Sequence, residues 1–183
     1  MLRNHRRWRK VEQATLSYGY GLSVTVLQLA EAFAALANDG RLIRPSLIQG
    51  ANNLATSILD PTIARQVSAM LETVTGPEGT GKSARVENYR VSGKTGTSRK
   101  ASASGYASRY IASFAGFAPS SNPRLVCIVV INDPSGKAYY GGLVAAPLFS
   151  SVMTGALRLL DVPPDNYEGM LAQAPLDGPG GEQ

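Results

Sequence analysis

Between Val91 and Pro134 the chain offers three extended segments in succession, with no helix-period pattern separating them. They read "VSGKTGTSRK", "RYIASFAGFAP" and "PRLVCIVVINDP". The second alternates Ile111, Ser113 and Ala115 against Ala112, Phe114 and Gly116. The third is a nearly unbroken β-branched run, the pattern of a central strand covered on both faces. "APSSNPR", 118–124, is a turn between them. Connections this short force antiparallel pairing, because a parallel crossover needs a dozen or more residues. Length allows one domain with a real core, since the chain has 183 residues.

Helical patterns flank this block. Residues 24–37 carry Val26, Leu29, Phe33 and Leu36 at helical spacing, with Thr25 and Gln28 placed for a capping box and "NDG" as a stop. Residues 61–74 begin with Asp60 as N-cap and Pro61 at the first position. Their stripe is Ile63, Val67, Met70, Leu71 and Val74. Residues 145–160 put Leu148, Val152, Ala156 and Leu159 on one face. The order is helix, helix, three strands, helix. It predicts an α+β fold, an antiparallel sheet of about three strands flanked by helices. Three regions follow: a basic stretch 1–10, a folded part 11–160 and a Pro/Gly-rich tail 161–183.

Composition removes several function classes. Hydrophobic residues make up 44% and charged residues 17%, a globular balance. No apolar run reaches the ~20 residues a membrane span needs, and no apolar segment follows the basic N-terminus as in a signal peptide. His5 is the only histidine, so neither a His-based triad nor a multi-His metal site is available within the chain. The lone Cys127 sits in an apolar run and reads as a core thiol. Net charge is +5, with Arg3, Arg6, Arg7, Arg9 and Lys10 crowded at the start. That stretch reads as a solvated terminus, and no nucleic-acid partner is expected. No cofactor and no metal is expected.

Two Gly-Lys segments compete for the chemistry. "GPEGTGKSA", 76–84, matches the phosphate-cradling pattern Gly-x-x-x-x-Gly-Lys-Ser. Such a loop works only when it leaves a strand and opens a helix. Here a helical pattern precedes it and an extended one follows, so nucleotide binding ranks third among the readings. The later "SGKTGTS", 92–98, lies inside a strand pattern. Lys94 supplies positive charge, Thr95 and Thr97 supply hydroxyls, and Gly96 lets another backbone come close. That set suits a strand that lays a peptide-like ligand along its edge and grips a carboxylate.

The segments "ATLSYGYGLSVTVLQLAEAFAALANDG", "VSGKTGTSRK", "RYIASFAGFAP", "VVINDPSGKAYYGGLVAAPLF" and "MTGALRLLDVPPDN" occur in this order. Over roughly residues 6–167 they resemble the C-terminal part of the transpeptidase domain of class B penicillin-binding proteins, septal type. The resemblance implies a partial β-lactamase/transpeptidase-like fold and a peptidoglycan D,D-transpeptidase working by serine acyl transfer. The implied ligands are the D-Ala-D-Ala stem peptide and β-lactams. The implied partners are the missing N-terminal part of the domain and membrane proteins of the division machinery. The implied location is an inner-membrane anchor with a periplasmic catalytic domain, although the sequence as written carries no signal or span.

By the same resemblance, Lys94 polarises the active-site hydroxyl network, and Thr95 and Thr97 bind the ligand carboxylate. The Thr97 N–H supplies half of an oxyanion hole. Gly96 admits the ligand backbone, and Arg99 adds carboxylate attraction. Tyr18, Tyr20, Tyr139 and Tyr140 form an aromatic wall. The family's Ser-x-x-Lys occurs nowhere in the 183 residues. "SSN", 120–122, fits Ser-x-Asn but follows Lys94 in a turn, out of the family's order, and reads as coincidence. The chain alone is therefore expected not to acylate, and its sheet to show an open edge and an uncovered apolar helix face. The alternative is a non-catalytic module that binds a peptide or partner.

Overall fold

The computed structural model describes residues 9–19, 21–51, 53–102 and 105–166. The elements in chain order are helices α1 (Lys10–Ser17) and α2 (Val26–Ala37), strands β1 (Arg41–Leu42) and β2 (Thr56–Ser57), and helix α3 (Pro61–Thr73). Strands β3 (Ser92–Ser102), β4 (Gly105–Ala118) and β5 (Leu125–Asn132) follow, then helices α4 (Gly141–Val144) and α5 (Ala146–Leu159). β1 and β2 form a small antiparallel ribbon. β3, β4 and β5 form the antiparallel sheet in that order.

The helix starts follow local chemistry. Thr25 Oγ1 accepts from Gln28 N at 3.1 Å, and Gln28 Oε1 accepts from Thr25 N at 2.9 Å, a closed capping box. Asp60 Oδ1 accepts from Thr62 N at 2.8 Å, with Pro61 at the first position. These hydrogen bonds hold the Asp60 carboxyl below its ordinary range.

Strand register assigns each sheet face a partner. Thr95 pairs with Phe114 and Phe114 with Val129, so one face carries Phe114, Ala118 and Val129. That face meets Phe149, Met153 and Leu157 of α5, all essentially buried. The Phe114 and Phe149 rings tilt at 59° with centroids 4.7 Å apart. The opposite face carries Ser92, Ala115 and Phe117 toward α3 and α2. Ser92 Oγ reaches Ser68 O of α3 at 2.9 Å.

Three readings of pattern are revised by these contacts. In α5 the expected face, Leu148, Val152 and Leu159, is exposed, and the buried face is the one carrying Phe149 and Met153. The helix is apolar on two sides and the sheet takes one. β5 reads as central, yet it borders the sheet, with no strand on its outer side among the described residues. α2 and α3 leave Val26, Leu27, Ile63 and Met70 exposed. α1 and the β1–β2 ribbon carry no strong sequence signal and are additions by the structure.

The Gly-rich loop leaves helix α3 and opens only a three-residue 3₁₀ turn, Lys82–Ala84. It has neither the strand before it nor the long helix after it that a phosphate loop needs. Beyond α5, Val162 is buried, and Asp165 accepts from Arg90 N at 2.7 Å and from Ser121 Oγ at 2.8 Å. No helix among the described residues is long and apolar enough to cross a membrane.

Candidate active site

Among the described residues β3 is an edge strand, and the ladder decides which of its groups face outward. Asp133 N donates to Tyr110 O at 2.9 Å, so the backbone groups of Tyr110 turn toward β5. By alternation those of Ala112 and Phe114 do the same. Their partners on β3 are Arg99, Thr97 and Thr95. These three therefore occupy the non-hydrogen-bonded positions and point N–H and C=O at the open edge. The Lys94 ammonium lies on that edge, 3.2 Å from Thr95 O and 3.4 Å from Thr95 Oγ1.

Side chains alternate in the other sense. Lys94 leaves the sheet on the α2–α3 side, and Thr95 and Thr97 leave it on the α4–α5 side. Thr95 Oγ1 lies 3.0 Å from Thr80 Oγ1 of the Gly-rich loop. Thr97 Oγ1 accepts from Gly141 N at 3.0 Å. Gly141 presses onto the ladder itself. A Cβ there would stand 2.5 Å from Gly96 O and would also strike Ser113 O.

The far end of the strand carries an aromatic stack. The Tyr110 and Tyr139 rings lie 4.1 Å apart at 18°, and Tyr139 and Tyr140 lie 4.4 Å apart at 31°. The Arg99 guanidinium stands 6.0 Å from the Tyr110 centroid, at the outer limit of a cation–π contact. Tyr139 O–H donates to Tyr140 Oη at 3.2 Å. Losing that donor on ionisation, beside a second phenol, pushes the Tyr139 pKa up to about 12. Arg109 grips Asp133 at 2.6 Å and holds that carboxyl below its ordinary range.

The structure thus gathers Lys94, Thr95, Gly96 and Thr97 at one edge, with Arg99 farther along the same strand and Tyr139 and Tyr140 in the segment just before α4. Tyr18 follows α1, is 65% exposed and is not part of the stack. Tyr20 lies outside the described residues. Sequence reading missed Tyr110 and Thr80. Tyr110 was legible only through register, as the partner of Arg99. A cavity of about 610 Å³ lined by Glu72, Thr75, Arg85, Tyr89 and Asp165 excludes Lys94 and Thr95 and is separate from this edge.

The model of the penicillin binding protein transpeptidase domain matches residues 3–154 of the chain. The chain belongs to that family. It is 46% identical over 173 residues to a probable peptidoglycan D,D-transpeptidase, PbpC, of Pseudomonas aeruginosa, covering 93% of this chain and 30% of that protein. It is 43% identical over 162 residues to the peptidoglycan D,D-transpeptidase FtsI of Escherichia coli, covering 87% of this chain and 27% of that protein. Among solved structures, the transpeptidase domain of Burkholderia pseudomallei penicillin-binding protein 3 superposes with a TM-score of 0.82 at 44% identity. That match covers 90% of this chain and 51% of the other. The transpeptidase-family chain thus spans about half of that solved domain and under a third of the curated relatives.

Proposed function

We propose that the chain forms the Lys-Thr-Gly side of a serine-type peptidoglycan D,D-transpeptidase of the septal, cell-division type. One observation carries the reading. In a chain of this family, the Lys94 ammonium, the Thr95 hydroxyl and the outward backbone groups of Thr95 and Thr97 line one open strand edge.

Each group has a role on that edge. The stem peptide or β-lactam lies along β3 as an added strand. Lys94 adds positive charge and polarises the hydroxyl network, and the Thr95 and Thr97 hydroxyls hold the carboxylate. The Thr97 N–H donates to the oxygen that becomes negative as the tetrahedral intermediate forms, a contribution of about 3–4 kcal/mol in such sites. The Thr97 hydroxyl supports the edge from behind through Gly141 N. Tyr110, Tyr139 and Tyr140 wall the far end, with Arg99 adding positive charge.

The reaction balances as two acyl transfers. A serine oxygen attacks the penultimate D-Ala carbonyl, loses its proton, and the terminal D-Ala leaves as the amine. The amine of a neighbouring stem then attacks the ester, and the serine recovers its proton. The serine and its lysine have to come from outside these 183 residues, because no Ser-x-x-Lys is among them. The outer edge of β5 and the exposed Val26 and Leu27 of α2 are surfaces that such a partner segment would cover.

Fluorescent penicillin tests this. The 183-residue chain alone should stay unlabelled. Joined to the first half of the related Burkholderia transpeptidase domain, it should be labelled stoichiometrically. Labelling of the chain alone, or none after joining, refutes the reading. A non-catalytic peptide-binding module, the second reading, would follow from the latter outcome.

A further inference from the structure

We propose that the cavity between the end of α3, the Gly-rich loop and the segment after α5 binds a small monocarboxylate with an apolar or aromatic body, through Arg85. The site is separate from the Lys94 edge and does not depend on the transpeptidase reading.

Of the charged groups in the lining, Glu72, Arg90 and Asp165 already have partners. Glu72 accepts from Arg90 Nε at 2.7 Å, and from Arg90 Nη2 and Ser120 Oγ at 2.9 Å each. Asp165 accepts from Arg90 N at 2.7 Å, and from Ser121 N and Oγ at 3.1 and 2.8 Å. Arg85 is different. Its Nε donates to Thr75 O at 2.6 Å, and its remaining guanidinium N–H groups have no partner among the described residues. No carboxylate among those residues forms an ion pair with it. A planar guanidinium with donors to spare matches the geometry of a carboxylate.

An exposed arginine ordinarily loses rotamer freedom when it grips a ligand. This one is held at both ends beforehand. Ser150 Oγ of α5 donates to Arg85 O, and Arg85 N donates to Lys82 O at 3.3 Å. Thr75, which receives the Nε proton, is buried, and its hydroxyl donates to Val91 O at 3.0 Å, just ahead of β3. Thr75 O lies just past the C-terminal end of α3, where a cation is favoured. The guanidinium plane is thus set before a ligand arrives, which lowers the cost of binding. Size and walls decide the rest of the ligand. About 610 Å³ admits a small organic molecule. Tyr89 O–H donates to Val162 O, so Tyr89 offers the cavity its ring rather than its hydroxyl. Glu72 and Asp165 line the same space and repel a dianion more than a monoanion.

Three aromatic probes of similar size test the site on the 183-residue chain: phenylacetate, phenylacetamide and phenyl phosphate. Binding is read by NMR from the Arg85 Nε–H and Tyr89 ring signals. Phenylacetate should shift both to saturation and leave the Thr95 and Thr97 methyl signals still. Phenylacetamide should bind at least about 10-fold more weakly, for want of the charge-assisted pair. Phenyl phosphate, mostly a dianion at neutral pH, should also bind more weakly than phenylacetate. Arg85→Gln should weaken phenylacetate about 10–100-fold. Arg85→Lys, which keeps the charge without the planar fork, should fall between Arg85→Gln and wild type. On wild type alone, the absence of a saturable shift, equal binding of acid and amide, or tighter binding of phenyl phosphate overturns the proposal. So do shifts confined to Thr95 and Thr97, or an Arg85→Gln chain that binds phenylacetate as wild type does.

Discussion

Replacing Gly141 by Ala places one carbon where the structure has no room for it. The added Cβ would lie 2.5 Å from Gly96 O and still closer to Ser113 O, both backbone atoms of a paired ladder. Neither can swing aside as a side-chain tip would, so the start of α4 has to lift. Overpacking of this kind costs about 1–3 kcal/mol. Lifting α4 also strains or breaks the 3.0 Å bond from Gly141 N to Thr97 Oγ1, worth about 1 kcal/mol more. Together these come to about 2–4 kcal/mol. For a chain of this length each kcal/mol moves the midpoint by roughly 2–4 °C, so Gly141→Ala should lower Tm by about 4–16 °C.

Gly155→Ala is the matched control. Gly155 lies within α5, and its added Cβ meets nothing within 4 Å. There the smaller backbone entropy of alanine should stabilise by about 0.5–1 kcal/mol and raise Tm. Circular dichroism melts of the two variants beside wild type make the measurement. A Gly141→Ala melt within about 2 °C of wild type, the lower bound for 1 kcal/mol, would refute the close-approach reasoning. So would a Gly155→Ala variant that falls with it.

Other outcomes follow from the polar ties. Glu72 holds Arg90 through both oxygens at 2.7 and 2.9 Å and accepts from Ser120 Oγ, which lies 2.6 Å from the buried Ser92 Oγ. Glu72→Ala should cost about 1.5–3 kcal/mol, read as a lower urea midpoint; an unchanged midpoint contradicts the clamp on β3. Tyr139 should ionise near pH 12. Tyr140→Phe removes the acceptor of its proton, so absorbance at high pH should show that ionisation moving down toward the ordinary tyrosine range. No movement would mean the two phenols are not bonded.

How much of this was legible in the chain divides by range. The capping residues Thr25 and Asp60 act within three positions of themselves, so their helices start where the sequence puts them. The meander is set by short connections that leave no alternative to antiparallel pairing. Lys94, Thr95, Gly96 and Thr97 are consecutive, and a strand's alternation already separates Lys94 from the two threonines.

Composition could not choose between the two apolar faces of α5. Phe149, Met153 and Leu157 are inward only because Phe114 and Val129 stand opposite them in register. Tyr110 reaches Tyr139 across 29 positions, and Thr80 reaches Thr95 across 15, through a turn whose regular expression points to a different chemistry. Local preference fixes what each segment becomes. Which side chains then meet depends on close approach between segments, and at Gly141 and Gly142 that approach is permitted only by a missing Cβ.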